Sequence, residues 1–542
     1  MAPQFSTPIL DDPTSRAGRP VNDPFVNSRP PTSNETVDRP NTLAKIVATI
    51  GPACDSPEMV EKMIRAGVDV FRFNFSHGEF TEHYQRLMLV RETAYRMGCV
   101  VGCLGDLSGP KLRVSEVPED GIYLAVGQDV EFRDGVETAF IDANAGNLPV
   151  FGSLYQGLVS EVKPGQRVLV NDGAIRMLAV DASPGRLRCR VTVGGLVTSR
   201  KGINLPETDL SVPAITERDW RCVEWAVGVG MDFLALSFVR RAKEIIELKD
   251  ALWGMCPADR GVADLATGSL IPVIAKIEKP QALENIDEIV DAADGIMVAR
   301  GDLGVEMDIA RVPVAQKRIL NACEERGKPA IVATQMLETM ITNAIPTRAE
   351  ASDVANAIFD NTDAVMLSGE TAVGAHPVLA VETMRRIIAA AEDHTLGYRR
   401  HNPPVHIQAK HRLTASLAHG AWQTATDLGA RAIVCWSENG GTARYLSQND
   451  FNVPIVAYSS NPRAVSRMTL LRSVTPIQCD PPEGGRLSEW NRRVDRDLLS
   501  LNMVQPGDWI VMLAGRPLGM AKSTNTLAVH RVGEDESGYH QL

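Results

Sequence analysis

With 542 residues, 44% of them apolar and 5% aromatic, the chain is long enough for several domains and has the composition of an ordinary α/β protein. Its formal charge of -11 argues against nucleic acid as the main partner, and no apolar run approaches membrane-spanning length, so neither nucleic acid nor a membrane is expected as a partner. The nine cysteines are scattered without a Cys-x-x-Cys pair, which fits a reduced, cytoplasmic setting.

Residues 1–40 are rich in Pro, Asn, Ser, Thr and Asp and read as a disordered arm. The arm has no signal-peptide core, and Asp11, Asp12 and Asp23 argue against a transit peptide. From Ala44 the texture changes. Lys45 to Ile50 reads as a strand stopped by Gly51-Pro52, and Ser56 to Arg65 as a helix with Ser56 as N-cap and Gly67 just past its end. Val68 to Phe75 reads as a strand, Thr81 to Met97 as a helix and Val100 to Asp106 as a strand. This βαβαβ alternation predicts a parallel sheet with helical cover.

The rhythm breaks from Leu112 to Ser211. Short β-like runs such as Val130–Phe132, Arg167–Val170 and Arg186–Val193 are separated by turn signals, among them Asp134-Gly135 and Asn171-Asp172-Gly173. With no long helix among them, residues 112–211 predict a small β-barrel domain inserted into the first. After Pro213 the βα rhythm resumes, with strands at 233–238, 271–277, 295–299, 330–334 and 364–367. Three strands before the insertion and five after make eight. That count predicts a TIM (β/α)8 barrel built from 41–111 and 212–393, with an open doubly wound sheet as the alternative. Residues 394–542 carry their own helix and strand alternation and predict a separate C-terminal α/β domain.

In a barrel the functional groups sit where strands end. Those ends carry Arg72, Asn74, Ser76 and His77, then Asp106, Ser237, Lys276 and Glu278, Arg300 and Asp302, Thr334, and finally Ser368 and Glu370. Lys276 and Glu278 are two apart and point to one side of a strand. Paired carboxylates suit a divalent metal, and the cations suit an anionic substrate. Gly301 and Gly304 let backbone N–H groups approach an anion. Each polar residue alone could be a helix cap or part of a surface salt bridge; seven strand ends sharing this chemistry argue for a site. In the third region the loop Ser437-Glu-Asn-Gly-Gly-Thr442 precedes a helix and could hold a phosphate or be an ordinary βα connection.

Seven segments stand in order along the chain: Lys45-Ile-Val-Ala-Thr-Ile-Gly-Pro-Ala53, Asn74-Phe-Ser-His-Gly78, Lys276-Ile-Glu278, Met297-Val-Ala-Arg-Gly-Asp-Leu-Gly304, Ala333-Thr-Gln-Met-Leu-Glu338, Pro346-Thr-Arg-Ala-Glu350 and Met366-Leu-Ser-Gly-Glu-Thr371. Together they resemble the pyruvate kinases, over roughly Leu43 to Val532, and Asp106 to Arg113 is similar to the bacterial branch. The resemblance implies phosphoryl transfer from phosphoenolpyruvate to ADP, giving pyruvate and ATP in the last step of glycolysis, through an enolate stabilised by Mg²⁺ (or Mn²⁺) and then protonated. It also implies a homotetramer. By motif, Glu278 and Asp302 resemble the metal ligands, and Lys276 the cation on the phosphoryl group in flight. Arg72 resembles a phosphoryl contact, and the N–H groups of Gly301 and Asp302 the holders of the substrate carboxylate. Thr334 resembles the residue beside the carbon that is protonated, with Ser368 in the proton relay. Arg113, His77, Lys201 and Asn74 match positions facing the nucleotide. Arg300 is implied either in the relay or as a brace for Glu278 or Asp302.

Two departures from the family pattern carry expectations. Asn74, Ser76, Asp106 and the backbone at Leu107 resemble a K⁺ pocket, but Lys111 stands where K⁺-dependent members carry Glu. Its ammonium supplies the same single charge, so K⁺ is expected not to be required; the alternative is that Lys111 points to solvent. Glu438 stands where fructose-bisphosphate-activated members have Lys, and an acid beside a phosphate pocket opposes binding. With Ser437, Asn439, Thr442 and the nearby Ser523 to Thr526, a sugar monophosphate or nucleotide effector is expected rather than fructose 1,6-bisphosphate. Two rival readings remain. A metal-enolate lyase or aldolase would share the carboxylate pair but need neither the insertion nor Arg113 and Lys201. A catalytically silent scaffold is opposed by the intact Lys276, Glu278, Asp302 and Thr334.

Overall fold

The structure, a computed structural model, describes residues 42–255, 271–395, 403–449, 451–483, 487–515, 518–519 and 524–534. The expected N-terminal arm and Ser523 lie outside them. Eight short strands form the framework: β1 Lys45–Thr49, β2 Val70–Asn74, β3 Gly102–Asp106, β4 Phe233–Leu236, β5 Val273–Ile277, β6 Gly295–Ala299, β7 Ala330–Ala333 and β8 Ala364–Leu367. They pair in parallel and close into a barrel in the order β1-β8-β7-β6-β5-β4-β3-β2. The open-sheet alternative is therefore excluded. The strands are nearly continuous apolar runs because both of their faces are buried. Alternate residues divide the burial. Val47, Val70, Leu104, Ile274, Met297 and Ile331 fill one core, while Ile46, Phe71, Phe73, Ile245, Val354 and Met384 join the larger layer between strands and helices.

Local chemistry sets where the helices begin. The helix Pro57–Ala66 starts at Ser56, whose hydroxyl accepts from the Met59 N–H, and stops at Gly67 in the left-handed region with φ 113°. Capping boxes at Thr216 with Asp219 and at Thr347 with Glu350 start the helices Glu217–Val229 and Arg348–Phe359. The last barrel helix, Pro377–Thr395, clasps the chain's entry: Glu392 accepts from the N–H groups of Leu43 and Ala44 at 2.8 and 2.7 Å.

The insertion leaves the barrel after β3. Its strands pair in the order Ile203–Asn204, Arg167–Val170, Ile175–Ser183, Arg186–Val193, Asp129–Arg133, Leu148–Phe151 and Phe140–Asp142, with a separate ribbon of Ile122–Leu124 and Gly195–Val197. Arg186–Val193 alternates exposed and buried residues as a half-buried strand should. Phe132, Phe151, Val168, Met177, Leu187 and Cys189 build a core separate from the barrel's. Residues 112–116 bridge the gap that this sheet leaves between its edges: their backbone pairs with Lys201 to Ile203 on one side and with Glu137 to Ala139 and Gly152 to Leu154 on the other, as the expected small barrel requires. At the insertion's base Arg113 bridges Gly202, and Arg240 donates to the Leu210 and Val212 carbonyls at 2.7 and 3.0 Å.

The C-terminal region has a five-stranded sheet. Its strands are β9 Ala432–Trp436, β10 Ile455–Ser459, β11 Val474–Gln478, β12 Trp509–Gly515 and β13 Thr524–Arg531, in the order β11-β10-β9-β12-β13. The pairing is parallel except for β13, which runs antiparallel to β12 and was not expected from its polar start. No disulfide joins two cysteines among the described residues. No described helix is long and apolar enough to cross a membrane.

Candidate active site at the barrel rim

The C-terminal ends of β2, β3 and β5 meet in one buried charge cluster. Arg72, in β2, donates Nε and Nη2 to Asp106 Oδ2 at 2.7 Å and Nη1 to the Thr49 hydroxyl at 3.0 Å. Lys276 on β5 reaches Asp106 Oδ1 at 3.1 Å and Glu278 Oε1 at 3.0 Å, and donates to the Ser237 hydroxyl at 2.8 Å. Asp106 and Glu278 are each 1% exposed and Lys276 9%. Strand geometry explains the meeting: β2 and β3 are neighbours around the ring, and β4, followed by Ser237, lies between β3 and β5.

The charges are unevenly compensated. Burial would raise the Asp106 carboxyl, but Lys276 and Arg72 overrule it and hold the group below its ordinary range. Burial would lower the Lys276 ammonium, but Asp106 and Glu278 overrule that too, so it stays charged. Glu278 is pushed up to about 7, first by burial and then by the Asp302 charge, against the pull of Lys276. Lys276 is shared between two carboxylates and Arg72 serves only Asp106. The shortfall of positive charge therefore falls on Glu278 and Asp302. That is the electrostatic setting in which a hard divalent cation fits: two carboxylates, with water and substrate oxygens left to complete the shell. No group of three or more His, Cys, Asp and Glu suited to a metal occurs among the described residues.

β6 runs directly into the helix Arg300–Glu306, placing Gly301 and Asp302 in its first turn. Asp302 is half-buried. The Gly301 N–H donates to the Thr334 hydroxyl at 2.7 Å, and that hydroxyl donates to the Ala333 carbonyl at 2.6 Å. Thr334 has φ 69°, a conformation that a β-branched residue rarely adopts. Phe238, at φ 54°, gives its N–H to Glu278 Oε2 at 2.7 Å. Left-handed backbone at two strand ends stores strain of roughly 1–3 kcal/mol each, and such strain concentrates at functional sites.

The remaining expected residues fall into three groups. Ser368 is half-buried at the end of β8, its N–H on Glu370 Oε2 at 2.7 Å. Arg300 turns away from the carboxylate pair; it donates to Asp353 at 2.7 Å and to the Thr334 carbonyl at 2.9 Å. It braces the Thr334 turn instead of Glu278 or Asp302. Asn74 accepts from the Ser76 N–H at 3.2 Å, His77 is exposed, and Leu107 is buried with its carbonyl accepting from Ser237 at 2.6 Å. Arg113 donates to the Arg200 carbonyl at 2.9 Å and Lys201 is half-buried, both on the inserted domain.

Lys111 departs from expectation. No contact joins its side chain to Asn74, Ser76 or Asp106 among the described residues. The chain turns at Gly109-Pro110 toward the insertion, so Lys111 is exposed and, with Asp302, Lys279 and Arg240, lines a cavity of about 30 Å³ between rim and insertion. In the C-terminal domain, Ser437 accepts from the Ala443 N–H at 3.1 Å. Thr442 meets Thr524 at 2.7 Å, and Asn439 accepts from Asn461 at 3.4 Å. Glu438 accepts from Trp436 Nε1 at 3.0 Å and from the Ser460 hydroxyl.

Several positioning groups were not foreseen: Thr49 beneath Arg72, Asp353 on Arg300, and a latch across the insertion's base. In that latch, Lys279 and Asn204 both donate to Glu306 Oε1, at 2.6 and 2.8 Å. A lysine following Lys276-Ile-Glu278 and a glutamate ending the helix after Asp302 were the available signals.

Comparison with known proteins agrees with this geometry. The family pattern described as pyruvate kinase, barrel domain, matches residues 41–381, and that described as pyruvate kinase, alpha/beta domain, matches 415–530. The chain is similar to the pyruvate kinase of Corynebacterium efficiens, 40% identical over 491 residues, covering 91% of this chain and 98% of the relative. It is 39% identical over 494 residues to that of Mycobacterium tuberculosis, covering 91% and 99%. The crystal structure of a pyruvate kinase from Cryptosporidium parvum superposes with a TM-score of 0.79 at 30% identity, covering 91% of this chain and 96% of that one.

Proposed function

The chain belongs to the pyruvate kinase family and transfers the phosphoryl group of phosphoenolpyruvate to ADP, giving pyruvate and ATP; from that premise we propose how its own residues do so. The observation that carries the assignment is Lys276, a buried ammonium held between Asp106 and Glu278 at the barrel's rim. Phosphoryl transfer needs positioning and fixed positive charge more than covalent help. Lys276 and Arg72 supply that charge at the transferring group, pre-aimed by Asp106, Ser237 and Thr49, so that no reorganisation is needed during the step.

Glu278 and Asp302 would hold the divalent ion, Mg²⁺ or Mn²⁺. When bound, that ion supplies Lewis-acid stabilisation of charge developing on substrate oxygens. The first turn of the helix at Gly301 and Asp302 receives the substrate carboxylate, and the Thr334 hydroxyl releases the Gly301 N–H as it does so. Arg300 holds the Thr334 turn in place, so that Thr334, with Ser368, delivers the proton to the methylene carbon. Arg113, Lys201, His77 and Asn74 face the nucleotide, with residues 112–211 closing over it from the barrel of 41–111 and 212–393. The unit from 394 onward serves assembly into a homotetramer and takes a phosphorylated effector at Ser437, Asn439 and Thr442. The setting is cytoplasmic.

K⁺ is not required, for a reason that differs from direct replacement. Asp106 already carries two cations, Arg72 and Lys276, and Lys111 brings its charge to the cavity that Asp302 lines. A coupled assay of pyruvate formation from phosphoenolpyruvate and ADP, run with and without K⁺ at fixed ionic strength, tests the reading. Full turnover without K⁺ is expected, and a steep K⁺ dependence would refute this part of it. Light scattering tests the tetramer.

A further inference from the structure

The rim is one end of the barrel. At the other end, the residues just before β6 and β7 face the C-terminal domain across a cavity of about 80 Å³. The segment from His406 to His411 and the helix Gly441–Ser447 complete its wall. That space holds several water-sized groups, so it is roomy enough for an oxyanion.

The wall is rich in cations and short of counter-charge. Two of its cations are matched: Lys249 pairs with Asp294 at 2.8 Å, and Arg326 with Asp287, Asp291 and Glu325 at 3.0, 3.2 and 3.6 Å. His406 lies 3.6 Å from the same Glu325. Among the described residues, Lys328, Lys410 and Arg444 have no carboxylate within ion-pair distance. Lys328 donates to the carbonyls of Ala293 and Asp291. Arg444 donates from Nη2 to the Tyr445 hydroxyl at 3.1 Å, and its Nε is buried without a hydrogen-bond partner. Lys410 is exposed at the mouth.

The crowding leaves its mark on protonation. The Lys328 ammonium is pushed down to about 8, by burial and then by Arg444 and Lys249, with Asp294 and Asp291 opposing. His411 is pushed down to about 4 by burial, Arg444, Lys410 and Lys328. Cations gathered in a concave, partly dehydrated wall stay charged at a cost that a multivalent anion removes. A solvated basic face would show no such depression.

We propose that this cavity is a phosphate site in which Lys328 of the barrel and Lys410 and Arg444 of the C-terminal region hold one phosphate dianion. The occupant is inorganic phosphate or the phosphate of a small monoester. The site is separate from the catalytic rim and from the Ser437 loop. Because its donors come from both units, occupancy clamps the barrel to the C-terminal domain. Arg444 also lies one turn into the helix that follows the Ser437 loop, so the clamp stiffens that loop as well.

Calorimetric titration of the full-length protein with inorganic phosphate and with glycerol 3-phosphate tests this, alongside selenate-soaked crystals read by anomalous diffraction. The expected result is a selenate peak within hydrogen-bond reach of Lys328, Lys410 and Arg444. Phosphate affinity should also fall about tenfold or more in Lys410→Ala and in Arg444→Met, while Lys276→Met leaves this binding event intact. A monoester that binds about tenfold tighter than inorganic phosphate assigns the site to a metabolite, and equal affinities assign it to free phosphate. Should Arg444→Met fail to fold, Lys410→Glu on the exposed lysine carries the test. Unchanged affinity in the lysine variants, or a selenate peak only at the rim, overturns the proposal.

Discussion

Two buried parallel strands in this molecule lead into a seven-residue helix: β6 directly into Arg300–Glu306, and β9 through Ser437–Gly440 into Gly441–Ser447. Both set an N–H of the helix's first turn on a hydroxyl, Gly301 on Thr334 and Ala443 on Ser437. They differ in charge. The rim has Lys276 and Arg72 converging on two buried carboxylates, with a third carboxylate, Asp302, in the helix itself. The C-terminal loop has Glu438 spent on Trp436 and Ser460, and no cation of its own between Ser437 and Thr442. The backbone alone does not make a reactive site. What distinguishes the rim is charge held out of water by the barrel and left incompletely paired.

The most severe way to break the comparison is to discharge the rim. Lys276→Met should lower turnover roughly a thousandfold or more while circular dichroism stays native. The fold survives because Asp106 keeps Arg72 and Glu278 takes a proton, so no bare buried charge is left. A near-normal rate in that variant sinks the role given to Lys276. Next in size is a pH effect. The Glu278 carboxyl is raised to about 7 in the folded, metal-free protein, so below that pH a divalent ion must displace a proton. Apparent Mn²⁺ affinity, followed by paramagnetic resonance, should fall about tenfold per pH unit below about 7 and level off above it. The sign for stability is the reverse of a salt-bridged carboxylate. Without metal, the folded state loses stability as pH rises from the ordinary glutamate range toward about 7, and added Mg²⁺ restores it. Glu278→Gln should flatten both curves.

A smaller effect is expected at the cavity between rim and insertion. Lys111→Glu places an acid beside Asp302 and should make turnover K⁺-dependent by about tenfold, measured at fixed ionic strength. A K⁺-indifferent variant would show that Lys111 is a solvent residue. Smallest of all, Glu438→Lys should move the C-terminal loop toward the rim's chemistry. It should tighten binding of a bisphosphorylated sugar by about tenfold or less, read by fluorescence of the neighbouring Trp436.

How much of this could be read beforehand follows the range of the interactions. The barrel was legible because eight apolar runs of similar length must be covered on both faces. Lys276, Glu278 and Asp302 were legible because two-residue spacing at a strand end puts charge on one side. The N-cap at Ser56 and the stop at Gly67 were local and matched the helix found. The partners of Arg300 and Lys111 were not legible. Asp353 lies 53 positions away from Arg300, and the path of Lys111 depends on a turn at Gly109. β13 was missed because its pairing with β12 is tertiary and its own start is polar. The Lys279–Glu306–Asn204 latch joins three separate segments, and no spacing rule connects them.

The bridge between Arg113 and Gly202 has a consequence for how the barrel is assembled. An unstructured loop as long as the one between β3 and β4 would carry a closure entropy that grows by about 0.6 kcal/mol with each doubling of its length. Here the inserted chain gathers around its own core and returns to within one backbone pairing of where it left. To β3 and β4 the detour therefore adds little to the crossover, through the helix Glu217–Val229, that joins these two parallel strands. The two strands find each other as neighbours in folding time, although a whole domain separates them along the chain.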